Sequence, residues 1–141
     1  MSALTVYQGL ESVFRGIVGL RSVILGEPTG NMELPGLYTA YQEFTRPLRN
    51  NPPARNLTAM DHTFACRLVI QWVDNANAEM QLLTLLDAIP DAIDANPNLS
   101  GKLPHGTCYI NAGITGFATI GGVLYRIVDY TVHALEKREG T

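Results

Sequence analysis

Between residues 63 and 73 the chain alternates with a period of two: Phe64, Cys66, Leu68, Ile70 and Trp72 interleave with Thr63, Ala65, Arg67, Val69 and Gln71. Successive side chains of a strand point to opposite faces, so this pattern predicts a β-strand with one buried face. A strand so patterned needs partners on both edges and a layer of other structure over its apolar side. The rest of the chain supplies both.

Helical spacing appears twice. Thr5 and Gln8 are placed for a capping box, and Val6, Leu10, Val13 and Ile17 follow at intervals of four, three and four, which predicts a first helix ending near Gly19. Asp74, Asn75 and Asn77 offer N-caps for a second helix whose apolar stripe is Leu82, Leu85, Leu86, Ile89 and Ile93, running to about Ala95. Pro90 lies inside that stripe, where its missing N–H predicts a kink or a break.

The remaining apolar runs read as strands. Val23, Ile24 and Leu25 are closed by the breaker sequence Gly26-Glu27-Pro28-Thr29-Gly30, and residues 34–44 are rich in aromatic and branched side chains. After a turn-rich stretch at 96–106, a block from Thr107 contains Gly113, Gly116 and Phe117-Ala118-Thr119-Ile120. Gly121-Gly122 then joins it to 123–135, the signature of a hairpin. The order helix, three strands, helix, two or three strands predicts an α+β fold: a mixed, largely antiparallel sheet flanked by two helices, in a single domain spanning 1–141.

Residues 45–59 form a long loop in this reading, with Pro47, Pro52 and Pro53 among Arg46, Arg49 and Arg55 and no acid between them. Long loops are uncommon unless they do something. Three guanidinium groups suit a carboxylate-bearing neighbour or a phosphate backbone; the plainer alternative is an ordinary solvated loop. Glu136-Lys137-Arg138-Glu139, after the last strand, reads as a solubilising tail.

Composition narrows the functional classes. Ten basic against thirteen acidic residues give a net charge of -3, the wrong sign for gripping phosphates with the whole surface. Cys66 and Cys108 are too few for a disulfide scaffold and lack CxxC spacing, which suits reduced thiols in a cytosolic protein. No basic segment precedes an apolar run at the N-terminus and no stretch reaches the ~20 apolar residues of a membrane helix, so neither a signal peptide nor a membrane span is expected. With 46% hydrophobic and only 16% charged residues, the chain carries more apolar surface than a solvated monomer needs, which points to an oligomer.

Catalytic and metal patterns are thin. Asp87, Asp91 and Asp94 recur at helical spacing and in principle hold a divalent cation, against the simpler reading of a solvated helix face. His62, His105 and His133 show none of the spacings that zinc sites use. Cys108, His133 and Asp129 are conceivable as a nucleophile, base and orienting acid, yet no GxSxG elbow or phosphate-binding glycine loop supports an enzyme. No enzyme activity, cofactor or metal is expected; a ligand-binding or enzymatic α+β domain, with an apolar pocket between the second helix and the sheet, is the alternative of another class.

The succession of segments resembles the tail terminator proteins of long-tailed bacteriophages. The resemblance is carried by the N-terminal helix leading into Val23-Ile24-Leu25-Gly26-Glu27-Pro28, by Leu34-Pro35-Gly36-Leu37-Tyr38, by the strand 66–72, by the helix 82–93 and by the closing block 117–130, and it covers nearly the whole chain. It implies a homohexameric ring in the tail or neck of a virion, assembled in the host cytoplasm, that stops tube growth. One face would dock on the major tail tube protein and the other on a head-completion or connector protein, with DNA passing through the lumen without specific binding and no membrane involved. A head-tail connector or tail tube subunit is the alternative within the same class. For a ring, Arg46, Arg49 and Arg55 are the first expected interface residues and 98–106 the second segment.

Overall fold

A computed structural model describes residues 3–28, 32–45, 57–72, 74–103 and 106–139. In chain order these form α1 (Ala3–Arg15), β1 (Ser22–Leu25), β2 (Gly36–Thr45), β3 (Leu57–Gln71), α2 (Asn75–Leu86), α3 (Ala88–Ala95), β4 (Thr107–Ile120) and β5 (Val123–Glu139). The five strands make one sheet in the order β1-β2-β3-β5-β4. Only β1 and β2 run parallel; the other three pairings are antiparallel. The mixed, largely antiparallel α+β architecture expected from the patterning is therefore present.

Helix α1 buries Val6, Leu10, Val13 and Phe14, the face its spacing predicts. It stops at Arg15, short of Gly19, through three-residue bonds from Gly16 N to Val13 O (3.2 Å) and Ile17 N to Phe14 O (3.1 Å) that tighten its last turn. Gly19, at φ +101°, then turns the chain toward β1 in a conformation that a side chain would oppose.

The second predicted helix is divided in two. Asp74 caps α2, its Oδ1 accepting from Ala76 N at 2.9 Å, and Asp87 ends α2 and begins α3. The division falls three residues before Pro90, because the first α-helical bond of α3 runs from Asp91 N to Asp87 O (2.9 Å). Pro90 thus occupies the first turn, where an N–H would have no partner in any case.

One face of the sheet is covered by the helices. Phe14 from α1, Leu82 and Leu85 from α2, and Ile89 and Ile93 from α3 pack on Leu37, Phe64, Cys66, Leu68, Ile70, Val128, Tyr130 and Val132. The opposite face carries a smaller cluster of Tyr38, Val69 and Ile127, against which Met32 and Leu34 from the β1–β2 connection pack. This is why Val69, on the row expected to face solvent, is buried as deeply as its neighbours.

Two boundaries differ from the sequence reading. Leu57, Thr58 and Ala59, assigned to the loop, already belong to β3 and pair with Glu139, Arg138 and Lys137. The charged run 136–139, assigned to a solubilising tail, is therefore the end of β5. Cross-strand pairing overrides local polarity there, since β5 continues in unbroken antiparallel register with β3 through Glu139.

Candidate assembly surface

The outermost strand on one side of the sheet is β4, paired with β5 along its length; its outer side is bonded to other backbone only near its start. Cys108 N donates to Pro97 O at 2.8 Å on the side away from β5. Beyond a bulge between Ile110 and Ala112, no strand pairs with the outer edge of β4 among the described residues. Residues 111–115, Phe117 and Thr119 are exposed, so the strand is open to solvent on both faces over 111–115 and on one face beyond, where Ala118 and Ile120 are half-buried against the Tyr38, Val69 and Ile127 cluster.

Its chemistry is unusual for an exposed edge. From Thr107 to Tyr125 the chain contains no charged residue. Ile114 is 72% exposed and Phe117 54%, and Val123 and Leu124 continue the apolar surface past the turn. That turn is Gly121-Gly122 with φ +59° and +81°, the doubly positive geometry of a tight two-residue hairpin. Proteins commonly blunt free edges with lysine, proline or charge; here the edge carries none of these from Thr107 to Ile120.

The hairpin is fixed to the body through Arg126. Its Nε donates to Glu79 Oε1 of α2 at 2.5 Å, its Nη1 to the Gly116 carbonyl at 2.8 Å, and its guanidinium lies 4.8 Å from the Phe117 ring centre. Trp72 packs edge-on against Phe117 (5.6 Å between ring centres) and donates through Nε1 to Asn75 Oδ1 at 2.5 Å. Trp72, predicted on the buried row of β3, therefore sits past the strand end, half-exposed at the root of the hairpin.

On the sheet face away from the helices, Arg67 and Asp129 form a two-pronged pair at 2.7 and 3.1 Å. The bond to Asp129 holds the Arg67 guanidinium still more firmly protonated, and Tyr38 lies beneath it at 5.9 Å. Further along, His133 Nδ1 stands 3.6 Å from Asp61 Oδ1 and Tyr109 stacks on the His133 ring at 5.1 Å. His62 is buried and meets the Tyr41 hydroxyl at 2.7 Å.

The conceivable catalytic set is not assembled. Cys108 belongs to the helix-side core; its sheet neighbour is Ala134, while His133 and Asp129 occupy the alternate positions of β5 and point to the other face. Burial pushes the Cys66 and Cys108 thiols up to about 12, far from a reactive thiolate. Asp87 sits at the junction of α2 and α3, with Asp91 and Asp94 on α3, and among the described residues no three His, Cys, Asp or Glu side chains are grouped to hold a metal ion.

Arg46, Arg49, Arg55 and His105 lie outside the described residues. The second expected contact segment is divided: Leu99 and Leu103 are buried in the core, while Asn98, Ser100, Gly101 and Lys102 face solvent. Where an apolar ligand pocket was the alternative, the described residues form an open groove of about 1010 Å³ between the end of α1 and α2, rimmed by Arg21, Gln71, Asp74, Asn77 and Gln81. It is broad and polar-edged, unlike an enclosed ligand site. Among the described residues no helix is long and apolar enough to cross a membrane.

No family model matches this chain, and no curated protein does. Among solved structures, it is similar to a chain in the virion of a native gene transfer agent particle, at 14% identity and a TM-score of 0.39, covering 94% of this chain and 92% of that one. A likeness so distant carries no functional role across by itself.

Proposed function

We propose that this chain is a structural virion subunit that caps a tail tube as a homohexameric ring, ending tube growth and offering the surface on which the head joins. The observation that carries this reading is the outer strand β4, whose residues 111–115, Phe117 and Thr119 are exposed, Ile114 and Phe117 among them, in a stretch free of charge from Thr107 to Tyr125. Such an edge is costly to leave in water and liable to pair indiscriminately, so its natural state is covered by another chain. The order of segments resembling tail terminators supplies the kind of assembly.

Two further features agree. Catalytic candidates fall on opposite faces of the sheet, which leaves the molecule's chemistry to its surfaces. A net charge of -3 suits a conduit through which DNA slides, because a basic lumen would hold phosphates. Ring closure requires two different patches on each subunit, and the loop bearing Arg46, Arg49 and Arg55 is proposed as part of one of them. In this reading the partners are other copies of the chain, the major tail tube protein and a head-completion or connector protein.

The test is a tube-growth assay. Tubes polymerising from a major tail tube protein should stop at a defined length when the purified chain is added, with the chain found at one tip. Unchanged growth, or the chain distributed along the tube as stacked rings, would sink the capping role and favour a connector or tube subunit.

A further inference from the structure

Two open grooves meet beside Arg21. One, of about 1010 Å³, runs between the end of α1 and α2; the other, of about 350 Å³, lies between the end of β3 and the tip of the β4–β5 hairpin. Arg21, Leu34 and Gln71 line both, so the two form one trench, and every residue that lines it belongs to the described part of the chain.

The trench changes character along its length. At the hairpin end Trp72, 39% exposed, makes an apolar seat with Leu34 and Leu124. Trp72 is held there by its Nε1 bond to Asn75 and by its edge-on contact with Phe117. Toward α2 the wall presents the exposed amides of Gln71, Asn77 and Gln81. Arg21 and Asp74 are the only charged side chains that line the trench. Asp74 is already engaged, its Oδ1 accepting from Ala76 N at 2.9 Å and its Oδ2 from Asn77 Nδ2 at 3.2 Å. Arg21 forms no ion pair among the described residues. The one unmatched charge is thus a guanidinium where the two grooves join.

Each feature specifies part of an occupant. A free guanidinium is matched by a carboxylate, to which its planar fork can bond in two places. Side-chain amides both donate and accept, which suits an extended backbone whose N–H and C=O groups have no partners of their own. A half-exposed tryptophan beside an arginine is the kind of surface on which protein interfaces concentrate their binding energy. The trench is too open to enclose a small molecule, and a single cation on a chain of net charge -3 is a poor match for a phosphate backbone.

We infer that this trench is a docking site for an extended segment of a partner protein, a carboxylate of which pairs with Arg21 while a nearby large apolar side chain seats on Trp72, Leu34 and Leu124. The inference goes beyond the capping role: it concerns a surface apart from the open length of β4, and it holds whether or not the chain closes into a ring.

The experiment selects short peptides, randomised at every position and displayed as a library, on the whole chain after clearing the library on the Arg21→Glu variant. Enriched peptides are synthesised and titrated against the fluorescence of Trp72, the single tryptophan of the chain. The inference predicts that they share an Asp or Glu close to a large apolar residue and that their binding shifts the Trp72 emission. Arg21→Gln should weaken them about tenfold or more, the loss expected of a charge-assisted pair. Changing the peptide's acid to its amide should weaken binding to the wild type as much, and should add little on Arg21→Gln, as two halves of one contact do.

A selection that enriches no peptide, or enriches peptides without an acid, would overturn the inference. So would equal binding by wild type and Arg21→Gln, or loss on the peptide's amide change that is as large on Arg21→Gln as on the wild type. A single-stranded DNA oligonucleotide that binds at physiological salt and is released by Arg21→Gln would overturn it in favour of a nucleic acid. Rings that form normally while no peptide is selected would overturn this inference alone and leave the capping role to the tube-growth assay.

Discussion

Arg126 on β5 and Glu79 on α2 meet at 2.5 Å, and the same guanidinium holds the Gly116 carbonyl of β4, so one side chain ties helix, strand and hairpin together. Arg126 is largely buried while Glu79 is half-exposed. The charge attraction is therefore partly screened, and most of the effect resides in packing against Phe117 and the bond to Gly116. Arg126→Ala should cost about 1–2 kcal/mol of stability in urea unfolding. Glu79→Gln, which keeps the shape and removes the charge, should cost less than half as much. Equal costs would mean that the ion pair dominates.

Gly9 lies on α1 where the helix meets the turn after α3. An added Cβ would stand 2.8 Å from Leu99 Cβ, 2.9 Å from Lys102 Cβ and 3.1 Å from the Leu99 carbonyl. Alanine is favoured over glycine inside a helix by about 1 kcal/mol, but overpacking costs about 1–3 kcal/mol. Close packing wins, so Gly9→Ala should lower stability by about 1 kcal/mol or more. Gly16→Ala, whose Cβ would meet only the Val13 carbonyl at 3.4 Å, is the control. A stabilising Gly9→Ala would show that the 99–102 turn yields easily.

The buried thiols give a pH dependence with a definite sign. Burial raises Cys66 and Cys108 to about 12 in the folded chain, against about 8.5 when unfolded. Between those values the unfolded chain has released protons that the folded chain keeps, so stability is full below about pH 8.5 and falls as pH rises toward 12. The slope approaches about 1.4 kcal/mol per pH unit for each thiol. Urea midpoints between pH 8 and 10 should fall accordingly, and Cys66→Ala/Cys108→Ala should flatten the decline. Burial also raises Tyr7 and Tyr130, which steepens the loss at still higher pH. A flat profile would mean that the thiols reach solvent.

How much of this was legible in the sequence follows from where local patterning coincides with tertiary burial. Leu10, Phe64, Leu68, Ile89 and Ile93 were readable because each belongs to a periodic set and each is fully or nearly fully buried. The division at Asp87 was misplaced to Pro90, since proline is harmless in a first turn and sequence does not say where a turn begins. Leu57-Thr58-Ala59 passed for loop because three residues beside a Pro-, Asn- and Arg-rich run show no period of their own.

The assembly surface was the least legible part. Residues 107–125 are uncharged and largely apolar or small, which reads as interior, and only the sheet order shows that β4 is an outer strand. The warning sign was composition: Gly113, Gly116 and Thr115 are small for a strand that must fill a core. Sequence reasoning put the interface at Arg46, Arg49 and Arg55, which lie outside the described residues.

That expectation has its own test. Replacing Arg46, Arg49 and Arg55 together with alanine should impair assembly if the loop carries contacts between subunits or rings. Charge-assisted bonds contribute about 1.5–3 kcal/mol each, so the triple change should be plain in an association isotherm. Assembly and tail joining as in the wild type would remove the loop from the account.

The central claim is that this chain closes into a ring, and the most direct measurement is its mass in solution by light scattering over a range of concentrations, with negative-stain images of the same sample. The account predicts a discrete species of about six subunits with a central hole, as closed symmetry requires. A monomer at every concentration, with no rings in the images, would contradict it.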